Sequence, residues 1–293
     1  MKTEQIEVAP GVKLAADRWV PSPPASPAAT ADGPAATCLL VHGLASNARM
    51  WDGVAAALTA MGHPVVTVDL RGHGRSSKPD TGYDVPTVAN DLATLIARMG
   101  LDRPIAAGQS WGGNVVLELA ARHPAAVRAI ALVDGGWIEL SEGFPRLADC
   151  LVALAPPRLA GRPLREVEGY VRSAHADWPE SGIRGTLGNF EVRPDGTIAP
   201  WLTYDRHLIV LRGLWEHHPA TLYAGLQVPA LLIPAEVGAS DWSDRKRHAV
   251  EQAQAAIPRA TTHWMTGDHD LHAQHPDEVA QVLHELAVED RAP

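Results

Sequence analysis

Ser110 stands between two glycines in Gly108-Gln109-Ser110-Trp111-Gly112, a spacing that could make it a nucleophile. A short apolar run at 104–107 leads into the pentapeptide and reads as a buried strand. Beyond it Val115, Val116, Leu119 and Ala120 fall on one face of a helix that must stop before Pro124. A G-x-S-x-G pattern between a strand and a helix is the nucleophile elbow, a turn too tight for flanking side chains that holds the serine strained and exposed. The helix start points backbone N–H groups, Trp111 first, at the reaction centre, where they stabilise developing negative charge. The competing reading is a glycine-rich turn with an incidental serine; the strand–turn–helix setting favours the elbow. A serine hydroxyl is a weak nucleophile at neutral pH, so the chain must also supply a base within reach.

The elements that would position such a site alternate along the chain. Residues 5–8 and 12–19 form a hairpin around Pro10-Gly11, and the Pro-, Ala- and Ser-rich residues 21–36 read as a surface loop. Thr37-Cys38-Leu39-Leu40-Val41 is a continuous apolar run, as in a strand buried on both faces. A helix follows with Trp51, Val54, Ala55 and Leu58 on one side, then a strand at 65–68. Leu92, Leu95, Ile96 and Met99 mark a helix stopped by Gly100, and a strand at 129–133 ends in Asp134-Gly135-Gly136. After a gap come a strand at 230–233, a helix at 247–256, a strand at 261–265 and a closing amphipathic helix at 276–288. The expected fold is α/β, a mostly parallel, doubly wound sheet with helices on both faces. Residues 1–135 and 227–293 form its core. The rhythm breaks over 136–226, which reads as an inserted helical lid with helices at 144–154, 164–178 and 201–217 and a turn at Pro194-Asp195-Gly196.

Composition narrows the function. At 293 residues the chain can form one large domain with an insertion. A net charge of −9 and the lack of a basic stripe argue against nucleic acid or an anionic membrane as partner. The two cysteines, Cys38 and Cys150, give no disulfide framework. The opening Met1-Lys2-Thr3-Glu4-Gln5 has no apolar signal core, and no apolar run is long enough to span a bilayer, so a cytoplasmic protein is expected.

His42-Gly43, Asp69-x-Arg71-Gly72-x-Gly74-x-Ser76, Gly108-x-Ser110-x-Gly112 and Gly267-Asp268-His269 occur in that order. With these motifs the chain resembles the lidded α/β-hydrolases (esterases, lactonases, epoxide hydrolases, dehalogenases and carbon–carbon hydrolases) over nearly its whole length. The resemblance implies the order serine, acid, histidine, and puts the base at His269, in the loop after the last strand. His263 lies within that strand, and His272 and His275 come one and two turns too late. Two acid positions are implied. Many relatives carry it after the strand following the lid, where this chain departs from the pattern and reads Gly238; Glu236 is the alternative there. Others carry it at the end of the strand after the elbow helix, which is Asp134 and is favoured, with Asp241 third. The resemblance also makes the Leu44 N–H the second oxyanion donor beside that of Trp111, sets Gly43 against the substrate, and makes His42 and the Asp69–Ser76 segment loop scaffold. Epoxide hydrolases and dehalogenases need an aspartate where Ser110 stands.

His269, His272 and His275 with Asp268 and Asp270 form a tract of the kind that can bind metal. The glycine before it and Pro276 after it argue for a loop, and neither metal nor cofactor is expected. Trp137, Trp178, Trp201 and Trp215 all fall in the lid. Each could simply pack lid on core, but four together suggest an aromatic-lined substrate pocket. The expectation is a serine hydrolase cleaving a carboxylic ester or lactone of a medium-sized apolar or aromatic small molecule. Two alternatives stay open. A carbon–carbon hydrolase of a ring-cleavage pathway would need a polar lid or core group for a substrate carboxylate; a non-catalytic small-molecule receptor on the same fold would keep the triad without turnover. The oligomeric state is left open.

Overall fold

The computed structural model describes residues 2–21, 35–236, 238 and 241–289; most of the Pro- and Ala-rich stretch, from 22 to 34, lies outside them. A hairpin of β1 (Lys2–Ala9) and β2 (Val12–Trp19) precedes β3 (Cys38–Val41), α1 (Asp52–Ala60), β4 (Val65–Asp69), α2 (Val85–Arg98), β5 (Ile105–Gln109), α3 (Trp111–Arg122) and β6 (Ala129–Val133). A long connection follows: α4 (Leu140–Gly143), α5 (Leu147–Ala153), α6 (Leu164–Ala174), α7 (Glu180–Leu187), the hairpin β7 (Phe190–Val192) and β8 (Ile198–Pro200), and α8 (Tyr204–Trp215). The alternation resumes with β9 (Ala230–Ile233), β10 (Ala235–Glu236), α9 (Asp241–Ala256), β11 (Ala260–Thr262), β12 (Met265–Thr266), α10 (Leu271–Gln274) and α11 (Pro276–Glu289).

The main sheet runs β1-β2-β4-β3-β5-β6-β9-β11; β2 meets β4 antiparallel, and from β4 to β11 every pairing is parallel. Its middle strands, β3, β4, β5, β6 and β9, are buried at every residue. Side chains alternate between faces along a strand, so an unbroken apolar run supplies two cores at once. Leu39, Val41, Val66, Val68, Ile130 and Leu132 pack with α2 and α3 on one side. Cys38, Leu40, Ile105, Ala107, Ala131 and Val133 pack with α1 and α11 on the other. The carboxyl ends of these strands all open toward one edge, the place where such sheets carry their sites. Among the described residues no helix is long and apolar enough to cross a membrane.

Several elements depart from expectation for local reasons. The helix expected at 144–154 is broken by Pro145, whose ring forces Phe144 out of the helical region, at φ −132° and ψ 85°. The helix expected from 201 starts at Tyr204, because the Thr203 hydroxyl caps it by accepting from the Arg206 N–H. The one expected to run to 178 stops at Ala174. Its neighbour α7 is a helix beyond the three expected, and the turn expected at Pro194-Asp195-Gly196 closes the hairpin of β7 and β8. The expected strand 261–265 is two pieces, the second of which pairs with β10 in a separate two-stranded sheet. The tract read as loop contains a helical turn, α10, because Pro276 bars only the residue before it, His275 at φ −124°, from helix.

The long connection is anchored by its own cluster, in which Val167, Val171, Trp178, Ile183 and Ile198 pack on Met50 and Ala273. Glycine permits that contact: a Cβ at Gly185 would come within 2.8 Å of the Met50 backbone.

Candidate active site

Ser110 sits between the end of β5 and the start of α3 at φ 54° and ψ −122°, a conformation that costs about 1–3 kcal/mol and persists only where the surroundings enforce it. They do so through backbone. A Cβ at Gly108 would strike the Gly112 carbonyl, one at Gly112 the His42 carbonyl, and one at Gly135 the Ser110 carbonyl. The Ser110 N–H donates to the Val133 carbonyl at 2.9 Å, which ties the turn to β6. Trp111 is fully buried and stacks on His73 at 5.4 Å between ring centroids.

The loop after β3 is held from below. The Leu70 N–H donates to His42 Nε2 at 2.9 Å, so the ring proton is on Nδ1, which donates to the Gly43 carbonyl at 2.7 Å. His73 repeats the pattern, accepting from the Ala45 N–H and donating to the Arg71 carbonyl at 3.0 Å. Burial lowers the pKa of both histidines, which keeps them neutral spacers. Asp69 accepts from the Ala48 and Arg75 N–H groups, and Arg71 grips Asp91 through two bonds of 2.6 and 2.7 Å. The scaffold leaves the Leu44 N–H without an acceptor among the described residues. The Trp111 N–H, at the first position of α3, has no partner within its helix either.

His269 Nδ1 meets Asp134 Oδ2 at 2.6 Å. Asp134, at φ 41° just past β6, is 1 % exposed, whereas the His269 ring is 53 % exposed and opens on the cavity that holds Ser110. Burial alone would raise the Asp134 pKa, but the hydrogen bond and charge of His269, then Lys246, outweigh it and hold the carboxyl below 3.8. Burial lowers the affinity of His269 for a proton, yet the bond to Asp134 and the charges of Asp134 and Asp270 prevail, so its pKa lies above 6.5. Among the described residues the Ser110 hydroxyl bonds to no side chain; such contacts often tighten only when substrate is present.

The other candidates fall elsewhere. Glu236 is 44 % exposed and pairs with Arg247 at 2.7 Å, while the bond to His269 Nδ1 is made by Asp134. The side chain of Asp241 lies outside the described residues. His272 is fully buried against Trp51, 4.3 Å between ring centroids, and burial pushes its pKa down to about 3, so it does not serve as base; among the described residues no group of three His, Cys, Asp or Glu side chains is placed to hold a metal ion.

Two cavities meet at this edge. The first, about 150 Å³, is lined by Leu44, Gln109, Ser110, His175, Trp178, His269 and Asp270, among others. The second, about 330 Å³, shares Ala45, Ser46 and Asn189 with it and carries Phe190, Trp201, Tyr204, Arg158 and Arg193. Of the four tryptophans expected at substrate, Trp178 lines the first cavity and Trp201 the second. Trp137 and Trp215 line neither. Trp137 follows β6 so closely that it packs into the core beneath, and Trp215 donates its Nε1–H to the Phe144 carbonyl at 2.7 Å. Gly43 lines neither cavity as well; a Cβ there would strike the Gln109 side chain and come within 3.1 Å of the Ser110 Cβ, so its role is to let the loop approach the elbow.

Two side chains, Gln109 and Lys246, carry no role in the sequence analysis, and Asp270 figures there only in the tract weighed for metal. Gln109 donates to the His269 carbonyl at 3.1 Å and so links the elbow to the base loop. Asp270 faces the first cavity, and burial raises its pKa. Lys246, on α9, contacts both oxygens of Asp134. Gln109 occupies an unspecified position of the pentapeptide, and Lys246 reaches Asp134 across 112 residues, so neither carries a sequence signal.

Comparison with known proteins agrees with this architecture. Residues 37–276 match the model of the alpha/beta hydrolase fold family. An uncharacterized protein of Mycobacterium tuberculosis is 38% identical over 106 residues, 36% of this chain and 30% of that protein, so the match spans under a third of that relative. The 2-(acetamidomethylene)succinate hydrolase of Mesorhizobium japonicum is 29% identical over 203 residues, 68% of this chain and 69% of that one. Among solved structures, E-2-(acetamidomethylene)succinate hydrolase superposes with a TM-score of 0.77 at 21% identity, over 97% of this chain and 98% of that one. The thioesterase domain from the curacin biosynthetic pathway gives 0.74 at 20% identity, over 98% and 99%. At such identities these structural likenesses show the fold alone. The family match covers most of the chain, and the chain belongs to the α/β-hydrolase fold family.

Proposed function

We propose that the protein is a serine hydrolase that cleaves a carboxylic ester or lactone through an acyl-enzyme. The observation that carries this reading is the strained Ser110 opening on the same cavity as His269, whose Nδ1 is held by Asp134 at 2.6 Å. In this mechanism His269 Nε2 takes the Ser110 hydroxyl proton as Oγ attacks the carbonyl carbon. The oxyanion forms against the Leu44 and Trp111 N–H groups, each such donor typically contributing about 3–4 kcal/mol. Collapse breaks the bond to the alcohol, which leaves with the proton from His269. Water, deprotonated by His269, then releases the acid and restores Ser110. In a lactone the alcohol stays tethered, and both ends leave together.

The long connection acts in this reading as a lid over the substrate, with Trp178 and Trp201 forming apolar walls. Arg158 and Arg193 support a second reading of the substrate. They line the second cavity, and no Asp or Glu is among its described lining residues. One matched relative is named for a succinate derivative. In that reading the end of the substrate far from Ser110 bears a carboxylate, the feature a carbon–carbon hydrolase would also require.

Steady-state hydrolysis of nitrophenyl esters with neutral and carboxylate-terminated acyl chains, and of aromatic lactones, tests both readings. Turnover that disappears in Ser110→Ala supports the serine hydrolase. A KM for the carboxylate-terminated ester that rises in Arg158→Ala and Arg193→Ala, with the neutral ester unchanged, supports the second cavity as its site. No turnover of any ester or lactone by folded protein rejects the proposal in favour of carbon–carbon cleavage or a receptor.

A further inference from the structure

Beyond the serine, base and acid, one charged side chain among the described residues hydrogen-bonds to the candidate triad. Lys246 Nζ donates to Asp134 Oδ1 at 2.9 Å, to Asp134 Oδ2 at 2.8 Å and to the Ala235 carbonyl at 3.1 Å. Those bonds occupy all three donors of the ammonium. Asp134 also accepts the Ala235 N–H on Oδ1 at 3.0 Å and His269 on Oδ2, so both its oxygens are doubly engaged. The lysine side chain is 11 % exposed, too enclosed for a surface pair screened away by salt.

We infer that Lys246 is a positioning residue for the triad: its charge, delivered onto Asp134, sets how readily His269 holds a proton. The inference rests on the triad reading given above. At rest the Asp134 and Lys246 charges cancel beside a neutral His269. When His269 takes a proton, the three groups together become positive; without the lysine they would become neutral. Lys246 therefore opposes the imidazolium, while Asp134 and Asp270 favour it. Among the described residues, Asp268 and His175 act on Asp270 through their charge, and His269 and His272, the latter on α10, act on one another. The outcome is a base that stays free at lower pH than an isolated Asp–His pair would allow. The same three bonds keep the carboxylate plane fixed, so the imidazole always meets Oδ2.

The test is an NMR titration of the His269 ring in the full chain, for wild type, Lys246→Met, Lys246→Gln and Lys246→Arg, assigned by the signal missing from His269→Gln. The pH profile of kcat/KM on a nitrophenyl ester accompanies it. Removing the charge is expected to raise the His269 midpoint by about one unit in the methionine and glutamine variants and to carry the acid limb with it. The arginine variant, which keeps the charge, holds the wild-type midpoint. An unchanged midpoint in a folded Lys246→Met or Lys246→Gln, with only thermal stability lowered, overturns the inference and leaves Lys246 as an anchor for α9. Should neither fold, the wild-type ¹⁵Nζ resonance of Lys246 decides: it shifts through the His269 midpoint if the groups are coupled, and a static resonance overturns the inference. Full turnover in Ser110→Ala would sink the serine reading instead, and the ring titration would still report on the coupling.

Discussion

The turn between β5 and α3 and the connection between β6 and β9 look onto the same cavity and are built on different terms. At the turn, backbone presses on backbone, and Gly108, Gly112 and Gly135 have no room for a methyl group. The connection is mixed: a Cβ added at Gly182, Gly185 or Gly213 would come within 2.6–2.8 Å of backbone, but one at Gly143, Gly161 or Gly169 would meet nothing within 4 Å, and Val152, Tyr170 and Val192 stay exposed. The wall it offers carries Trp178 and His175 over the first cavity, Trp201 and Arg158 over the second. The contrast separates two tasks. Groups that would perform the reaction are set by a turn with no freedom to vary, while groups that would select a substrate stand on a region close-packed where it meets the core and open on its outer side.

Substitutions can break or sharpen that contrast. The largest effect is expected at the turn itself, where Ser110→Ala should lower kcat by about 10⁴-fold or more with the fold intact, measured by steady-state kinetics and circular dichroism. Asp134→Asn follows, with a loss of about 10³–10⁴-fold, because the amide cannot hold the imidazole in the required tautomer. Glu236→Gln, which removes only an exposed pair with Arg247, should change kcat by less than about twofold. A loss of the same size in both would return the acid to the strand after the long connection. Gly112→Ala should destabilise the protein by about 3 kcal/mol or more, read as a lower denaturation midpoint, since the new methyl meets the His42 and Val41 carbonyls. Gly169→Ala, inside α6 with open space around it, should instead add about 0.5–1 kcal/mol. A neutral Gly112→Ala would refute the claim that the turn is held by backbone contact.

The pH dependence follows from the same pair. The His269 pKa lies above 6.5, so kcat/KM should fall as pH drops through that midpoint, about tenfold per unit below it. Stability runs the other way for this group. The extra binding of a proton in the folded state stabilises the protein fully below pH 6.5 and is lost as pH rises through the folded midpoint. In Asp134→Asn the acid limb should move down, toward or below 6.5.

How much of this is legible in the sequence depends on how local the cause is. The turn is legible because glycine, serine and glycine between a strand and a helix is itself the steric requirement. The sheet is legible because strands buried on both faces leave unbroken apolar runs. Asp134 and Glu236 are ambiguous in sequence, since both follow strands that end near the His269 loop. Geometry separates them: β10 pairs beside β12, which carries Glu236 toward Arg247, while Asp134 turns inward at φ 41°. Lys246 and Gln109 leave no trace because their contacts join distant segments. The four tryptophans of the long connection are not sorted by sequence, for aromatic content alone does not tell a side chain that packs under a strand end, Trp137, from one that lines a cavity, Trp178.

The most direct test of the central claim, that Ser110 is a nucleophile driven by His269 and Asp134, is covalent labelling with a fluorophosphonate followed by peptide mass mapping. The account predicts one adduct, on Ser110, that is absent in Ser110→Ala and forms far more slowly in Asp134→Asn while Glu236→Gln keeps the wild-type rate. An adduct on another residue, or labelling at an unchanged rate in Asp134→Asn, would contradict it.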